Sequence, residues 1–135
     1  MKFVQICDRV EPNTREVAPS ALAGTWINSN LDTNSIARVK ISDANGKLQL
    51  QVFAMGPDGL IDWGTSDAQV FAGGPSSDKA AGLTCRYDFG FAETRLQAMI
   101  MKGLLVLAQF HLFKDDSGRA DYFLREYFAL SHDHF

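Results

Sequence analysis

The chain has 135 residues, a length that fits one domain with a sizeable core. Its formal net charge of −3 and the absence of a basic cluster argue against a nucleic-acid surface. No run of like charges is suited to an anionic membrane either. We therefore expect neither nucleic acid nor membrane as a partner.

The N-terminal residues predict a cytoplasmic protein. Lys2, Asp8 and Arg9 interrupt the apolar positions before the core of a signal peptide could form. The two cysteines, Cys7 and Cys85, fit reduced thiols in the same compartment. We expect residues 1–22 to form an N-terminal arm and residues 23–135 to form the single main domain.

The main domain reads as short β-strands separated by turn residues. Asn45-Gly46 is a strong signal for a hairpin, because both positions tolerate positive φ angles. The apolar run from Leu96 to Phe113 could be a buried helix, but Gly103 divides it into two segments of strand length, which favours a hairpin at Lys102-Gly103. The predicted strands are 24–28, 35–42, 47–55, 60–72, 81–91, 93–102, 104–114 and 119–130.

Eight strands joined by short turns predict an all-β fold. An open meander of this kind would leave two bare edges, and closure into an antiparallel up-and-down barrel removes them. An eight-stranded barrel has room for one small ligand. We therefore predict an eight-stranded barrel with an N-terminal arm.

Several motifs support this prediction by resemblance. Gly24-Thr25-Trp26-Ile27-Asn28 resembles the first strand of calycins, in which lipocalins carry Gly-x-Trp and avidins carry Gly-x-Trp-x-Asn. Three further segments resemble a bacterial group of lipocalin-like proteins with no settled activity: Asp62-Trp63-Gly64, Tyr87 to Thr94, and Ser117 to Phe128. The resemblance implies a calycin barrel whose Trp26 packs across the closed end. The likeness to avidins stops at the first strand, so we do not expect biotin.

Alternating strands place several aromatic and polar side chains where they could face a cavity. Each has a structural alternative as a packed or solvated residue, and the sequence leaves the choice open. Tyr87, Phe89 and Phe91 share one face of a strand, and Gln109 and His111 lie on another. The predicted ligand-binding residues are Trp26, Asn28, Trp63, Tyr87, Phe89, His111 and Tyr122.

These features predict a protein that binds a hydrophobic or amphipathic small molecule inside a barrel. A cyclase or isomerase is the first alternative, with His111, Glu126 and Tyr87 as acid–base candidates. A structural or interaction protein is the second. We expect no cofactor and no metal site, and His132-Asp133-His134 reads as a tail.

The strands at 104–114 and 119–130 are apolar on both faces. One face can fill the interior, and the other requires a cover. A homodimer and the N-terminal arm are competing explanations for that cover.

Overall fold

The computed structural model describes residues 22–44, 47–77 and 79–131, which form one antiparallel sheet. Most of the predicted arm and the tail after Ser131 lie outside these residues. The nine strands are β1 (Gly24–Asn28), β2 (Ile36–Ala44), β3 (Lys47–Gly56), β4 (Gly59–Asp67), β5 (Gln69–Ala72), β6 (Ala80–Asp88), β7 (Ala92–Met101), β8 (Leu104–Phe113) and β9 (Tyr122–Ser131).

The strand order in the sheet is β4-β3-β2-β1-β9-β8-β7-β6-β5. Its two end strands, β4 and β5, are separated in the chain by Ala68 alone. The hydroxyl of Ser66 in β4 also donates a hydrogen bond to the backbone oxygen of Arg86 in β6, over 2.9 Å. The sheet is therefore curled, so that its ends approach each other. The predicted all-β antiparallel architecture is confirmed.

The strand predicted at 60–72 is divided in two, which gives nine strands instead of eight. A bulge opposite Val52 places an extra residue in β4 at Trp63-Gly64, where Gly64 has a φ of 84°. Bulges of this kind increase the local twist of a strand. Ala68 then donates its N–H to the backbone oxygen of Leu48, and the chain continues along β6 as β5.

Side-chain alternation defines a buried inner face and an outer face. Leu48, Leu50 and Val52 are fully buried on the inner face of β3, whereas the intervening side chains are partly exposed. The same period continues around the sheet, and Leu96 and Phe128 are fully buried on the inner face. Burial of a large apolar side chain contributes roughly 1.5–3 kcal/mol, so the inner face contributes most of the hydrophobic stabilisation.

The predicted hairpin between β7 and β8 is confirmed. Lys102 and Gly103 have φ angles of 53° and 80°, as a two-residue turn that matches strand twist requires. Two other boundaries differ from the prediction. β6 ends at Asp88, because its carboxylate accepts a bond from the Gly90 N–H and starts a turn. β9 begins at Tyr122, because the preceding segment 114–121 forms a loop.

That loop, here called the β8–β9 loop, is held at several points. The Asp121 carboxylate accepts a hydrogen bond from the Phe113 N–H, and Arg119 pairs with Asp115 over 2.8 Å. Lys114 pairs with Asp88, over 2.7 Å, in the neighbouring turn. One side-chain bond to the backbone and two ion pairs thus replace the strand pairing that the sequence predicts here.

Within the described residues, no helix is long and apolar enough to cross a membrane.

Candidate ligand-binding site

A cavity of about 320 Å³ opens beside the β6–β7 turn and the β8–β9 loop. We call it the aromatic cup. Five of its lining residues are aromatic, and three polar side chains reach it from β7, β8 and the β8–β9 loop. The lining consists of Trp63, Phe89, Phe91, Ala92, Thr94, His111, Phe113, Arg119 and Tyr122.

The aromatic walls of the cup are packed edge to face and face to face. Trp63 meets Phe89 nearly perpendicularly, with ring centroids 5.0 Å apart. On the opposite wall Tyr122 stacks on His111, with centroids 4.4 Å apart and an interplanar angle of 17°. Aromatic pairs of this kind are rigid and apolar, which suits the wall of a small-molecule site.

The polar inner end of the cup arises from strand register. Thr94 in β7 lies directly opposite His111 in β8, which in turn lies opposite Tyr122 in β9. All three side chains therefore occupy one row across the sheet. Thr94 is 1% exposed and Tyr122 is 48% exposed, so the Thr94 end of this row is the buried end of the cup.

Beneath His111 lies a connected group of polar side chains, the Gln109 network, formed by Thr33, Ser35, Thr94, Gln109, His111 and Glu126. Gln109 is fully buried at its centre. Its amide nitrogen lies 3.4 Å from Glu126 Oε1, and its oxygen lies 3.1 Å from both Ser35 Oγ and His111 Nε2. The Thr33 hydroxyl donates to Glu126 Oε2 over 3.0 Å. Buried polar groups that are satisfied in this way stabilise one arrangement of the core.

The directions of these hydrogen bonds follow from Glu126. A carboxylate only accepts, so Gln109 donates its amide N–H to Glu126 and accepts at its oxygen. His111 must then donate Nε2–H to that oxygen. Burial lowers the pKa of His111, which favours the neutral ring. Nδ1 of the neutral ring accepts the Thr94 hydroxyl proton over 2.9 Å.

Four of the seven predicted ligand-binding residues line the cup: Trp63, Phe89, His111 and Tyr122. Tyr87 lies behind the wall, with its ring 5.5 Å from that of Trp63. Its hydroxyl donates towards the backbone oxygens of Leu50 and Gly64, at 3.1 and 2.9 Å. Burial raises the pKa of Tyr87, so its proton stays in place.

The other two predicted residues lie elsewhere on the inner face. Trp26 is 3% exposed, and its indole N–H donates to the backbone oxygen of Leu22. It pairs with Leu130, which lies eight residues from Tyr122, or about 27 Å along an extended strand. Asn28 is also buried and bonds the backbone of Ile36 and Asn30. Neither residue lines the cup.

Of the three acid–base candidates, His111 and Glu126 belong to one network and Tyr87 does not. Gln109 links them, because it accepts a hydrogen bond from His111 and donates one to Glu126. The hydroxyl of Tyr87 is directed to backbone carbonyl groups. The structure thus separates the predicted trio into a pair and a structural tyrosine.

Sequence reasoning missed Ala92, Thr94, Phe113 and Arg119 as lining residues. Thr94 could have been found from the predicted hairpin, because it lies eight residues before Lys102 and His111 lies eight residues after Gly103. The same count places Phe113 opposite Ala92. Arg119 carries no such signal, since it lies in an irregular loop.

A larger cavity of about 500 Å³ lies on the outer face across β5 to β9, and another of about 430 Å³ shares His111 and Tyr122 with the cup. The walls of the first include Met99, Met101, Phe123 and Tyr127, which are 43–55% exposed. The outer faces of β8 and β9 are therefore largely apolar here, as predicted, whereas Gln109, His111 and Glu126 make their inner faces partly polar. The homodimer inferred from this pattern stays a prediction. We favour the cup as the ligand site because buried polar groups converge on it.

Among the described residues, no group of three or more His, Cys, Asp or Glu side chains is placed to hold a metal ion.

The searches for related proteins add no assignment. No family model, no curated protein and no solved structure matches the chain. The lipocalin-like resemblance therefore stays a prediction from the motifs.

Proposed function

We propose that the protein binds an amphipathic small molecule in the aromatic cup. One observation carries the proposal: five aromatic side chains surround a cavity of about 320 Å³ whose inner end is polar. Ligand sites are typically concave and apolar, with a few placed polar groups that set orientation, and their volumes begin near 300 Å³. The apolar walls exclude water, and the Thr94–His111 pair fixes one end of the ligand.

The proposal includes closure of the curled sheet into an eight-stranded barrel of the calycin type. β4 pairs with β3, β5 pairs with β6, and only Ala68 interrupts them, so β4 and β5 together count as one strand. Side chains span the remaining gap, since Ser66 and Tyr87 both bond backbone oxygens across it. Closure makes the cup the open mouth of the barrel, with Trp26 at the far end.

The two tryptophans give a direct test, because the chain contains no others. In Trp26→Phe the only indole is Trp63, in the cup wall. In Trp63→Phe the only indole is the distant Trp26. We expect titration with 1-anilinonaphthalene-8-sulfonate to quench the fluorescence of Trp63 saturably. The fluorescence of Trp26 should stay nearly unchanged.

A matched pair of variants locates the binding. Ala92→Leu narrows the cup, whereas Ala108→Leu narrows the outer cavity to a similar extent. We expect the first to weaken binding by about tenfold and the second to leave it unchanged. Equal effects of the two variants would refute the cup as the site. Native mass spectrometry of protein incubated with cell extract then identifies the bound mass.

An isomerase or cyclase is the second candidate function, and the link between His111 and Glu126 through Gln109 favours it. The basic nitrogen of neutral His111 accepts the Thr94 hydroxyl proton, so a ligand proton would pass to His111 through that hydroxyl. Once a bound molecule is known, its turnover should fall in His111→Gln and Glu126→Gln and persist in Tyr87→Phe. Unchanged turnover in the first two variants removes these residues from any mechanism.

A further inference from the structure

The two ends of the aromatic cup differ in hydrogen-bonding character. At the inner end lies the row of Thr94, His111 and Tyr122. Phe113 lies two residues closer to the β8–β9 loop, about 7 Å along the strand. Arg119 covers Phe113 from that loop, with its guanidinium carbon 4.2 Å from the ring centroid.

The inner end offers an acceptor. The hydroxyl proton of Thr94 is directed to Nδ1 of His111, and the Nε2 proton of His111 is directed to Gln109. The Thr94 oxygen can therefore only accept a hydrogen bond from a ligand. A complementary ligand presents an O–H or N–H group at this end.

The outer end offers donors with positive charge. The guanidinium of Arg119 has five N–H donors, of which one meets Ser117 Oγ and another meets Asp115. These contacts hold the plane of the guanidinium against Phe113 and leave further donors in the fork. Asp115 offsets part of the charge, so it competes with any anion that Arg119 binds.

We infer that the cup binds a flat aromatic or conjugated molecule with a hydrogen-bond donor at one end and a carboxylate at the other. The inference rests on the proposed function of the cup and specifies its ligand class as hydroxyaryl carboxylic acids. The donor meets Thr94, the ring lies between the aromatic walls, and the carboxylate meets Arg119. A bond from a charged donor to such a group is worth enough to shift affinity by about tenfold.

Three related probes separate the two ends: 4-hydroxycinnamate, 4-methoxycinnamate without the donor, and 4-hydroxycinnamyl alcohol without the carboxylate. Affinities are measured by calorimetry on the full chain. We expect 4-hydroxycinnamate to bind about tenfold more tightly than either analogue. Equal binding of all three would overturn the inference.

Variants assign each end to its residue. Arg119→Gln should abolish the preference for the acid over the alcohol, and Asp115→Asn should increase it by removing the competing carboxylate. Arg125→Gln, an exposed arginine on the outer face, is the matched control and should change nothing. Thr94→Val should abolish the preference for hydroxyl over methoxy, and Thr94→Ser, which keeps the hydroxyl, should retain it.

The outcomes for the function and for the ligand class are distinguishable. If 1-anilinonaphthalene-8-sulfonate quenches Trp63 but none of the three probes binds, the cup remains a binding site and the ligand class is wrong. If neither that dye nor any probe binds, both proposals fail. If Arg119→Gln and Arg125→Gln weaken the acid equally, the assignment of the carboxylate to Arg119 is wrong.

Discussion

Thr94 and His111 face each other across β7 and β8, with 2.9 Å between the threonine hydroxyl oxygen and Nδ1 of the imidazole. Because the opposite ring nitrogen donates to Gln109, the imidazole is oriented from both sides. A histidine held in this way has one defined neutral tautomer, and protonation of the ring would disrupt its bond with Thr94.

The stability of the protein should fall as His111 becomes protonated. Burial lowers its pKa below the ordinary value of about 6.5. The unfolded chain therefore binds the proton more readily, and the stability from neutral His111 is fully present above pH 6.5 and is lost as the pH falls through the folded-state pKa. We expect the melting temperature of the wild type to drop more between pH 7.5 and 5 than that of His111→Gln. Parallel curves for the two proteins would contradict this.

The Tyr87 hydroxyl should contribute to stability rather than to binding. Its bonds to the backbone oxygens of Leu50 and Gly64 join β6 to β3 and β4. Tyr87→Phe should lower the free energy of unfolding by about 1–2 kcal/mol, because it leaves both oxygens without this donor. Urea titration measures the change, and dye binding in the cup should persist. Tyr122→Phe, which removes a more exposed hydroxyl, is the control and should cost less than about 0.5 kcal/mol.

Glu93 should contribute more to the stability of the fold than either arginine with which it pairs on the outer face. Its side chain is 10% exposed and lies 2.5 Å from Arg86 Nε and 2.7 Å from Arg95 Nε, whereas both arginines are about 60% exposed. Glu93→Gln should destabilise the fold by about 1–2 kcal/mol, since it removes two charge-assisted bonds at once. Arg86→Gln and Arg95→Gln should each cost below about 1 kcal/mol. Equal losses in the three variants, measured by urea unfolding, would count against this ranking.

The turn at Lys102-Gly103 offers a stabilising substitution. Lys102 has a φ of 53°, which asparagine tolerates better than lysine does. Lys102→Asn should raise the free energy of unfolding by about 0.5 kcal/mol. Gly103→Ala should lower it by about 1 kcal/mol, because alanine is strained at a φ of 80°. If alanine at position 103 were neutral, the proposed turn geometry would be wrong.

The sequence predicts the fold well where alternation and turn chemistry agree. The Lys102-Gly103 turn sets the register of its hairpin, and that register places Thr94 beside His111 by counting alone, whereas the predicted Asn45-Gly46 turn lies outside the described residues. The sequence does not predict the structure where side-chain hydrogen bonds replace the backbone pairing between strands. Nothing in residues 60–72 indicates that the ladder changes partner at Ala68, because that depends on a twist accumulated over neighbouring strands. The position of Arg119 in the cup could not be predicted either, because contacts made by a loop follow no sequence period.

The pairing of β1 with β9 has a consequence for synthesis on the ribosome. Thr25 to Asn28 find their β9 partners only among residues 128–131, about a hundred positions later. At 5–20 residues per second, β1 waits at least about 5 s before that partner is made. During this time the β9-facing edge of β1 is open to pairing with other chains, which is the aggregation hazard of an unpaired strand edge.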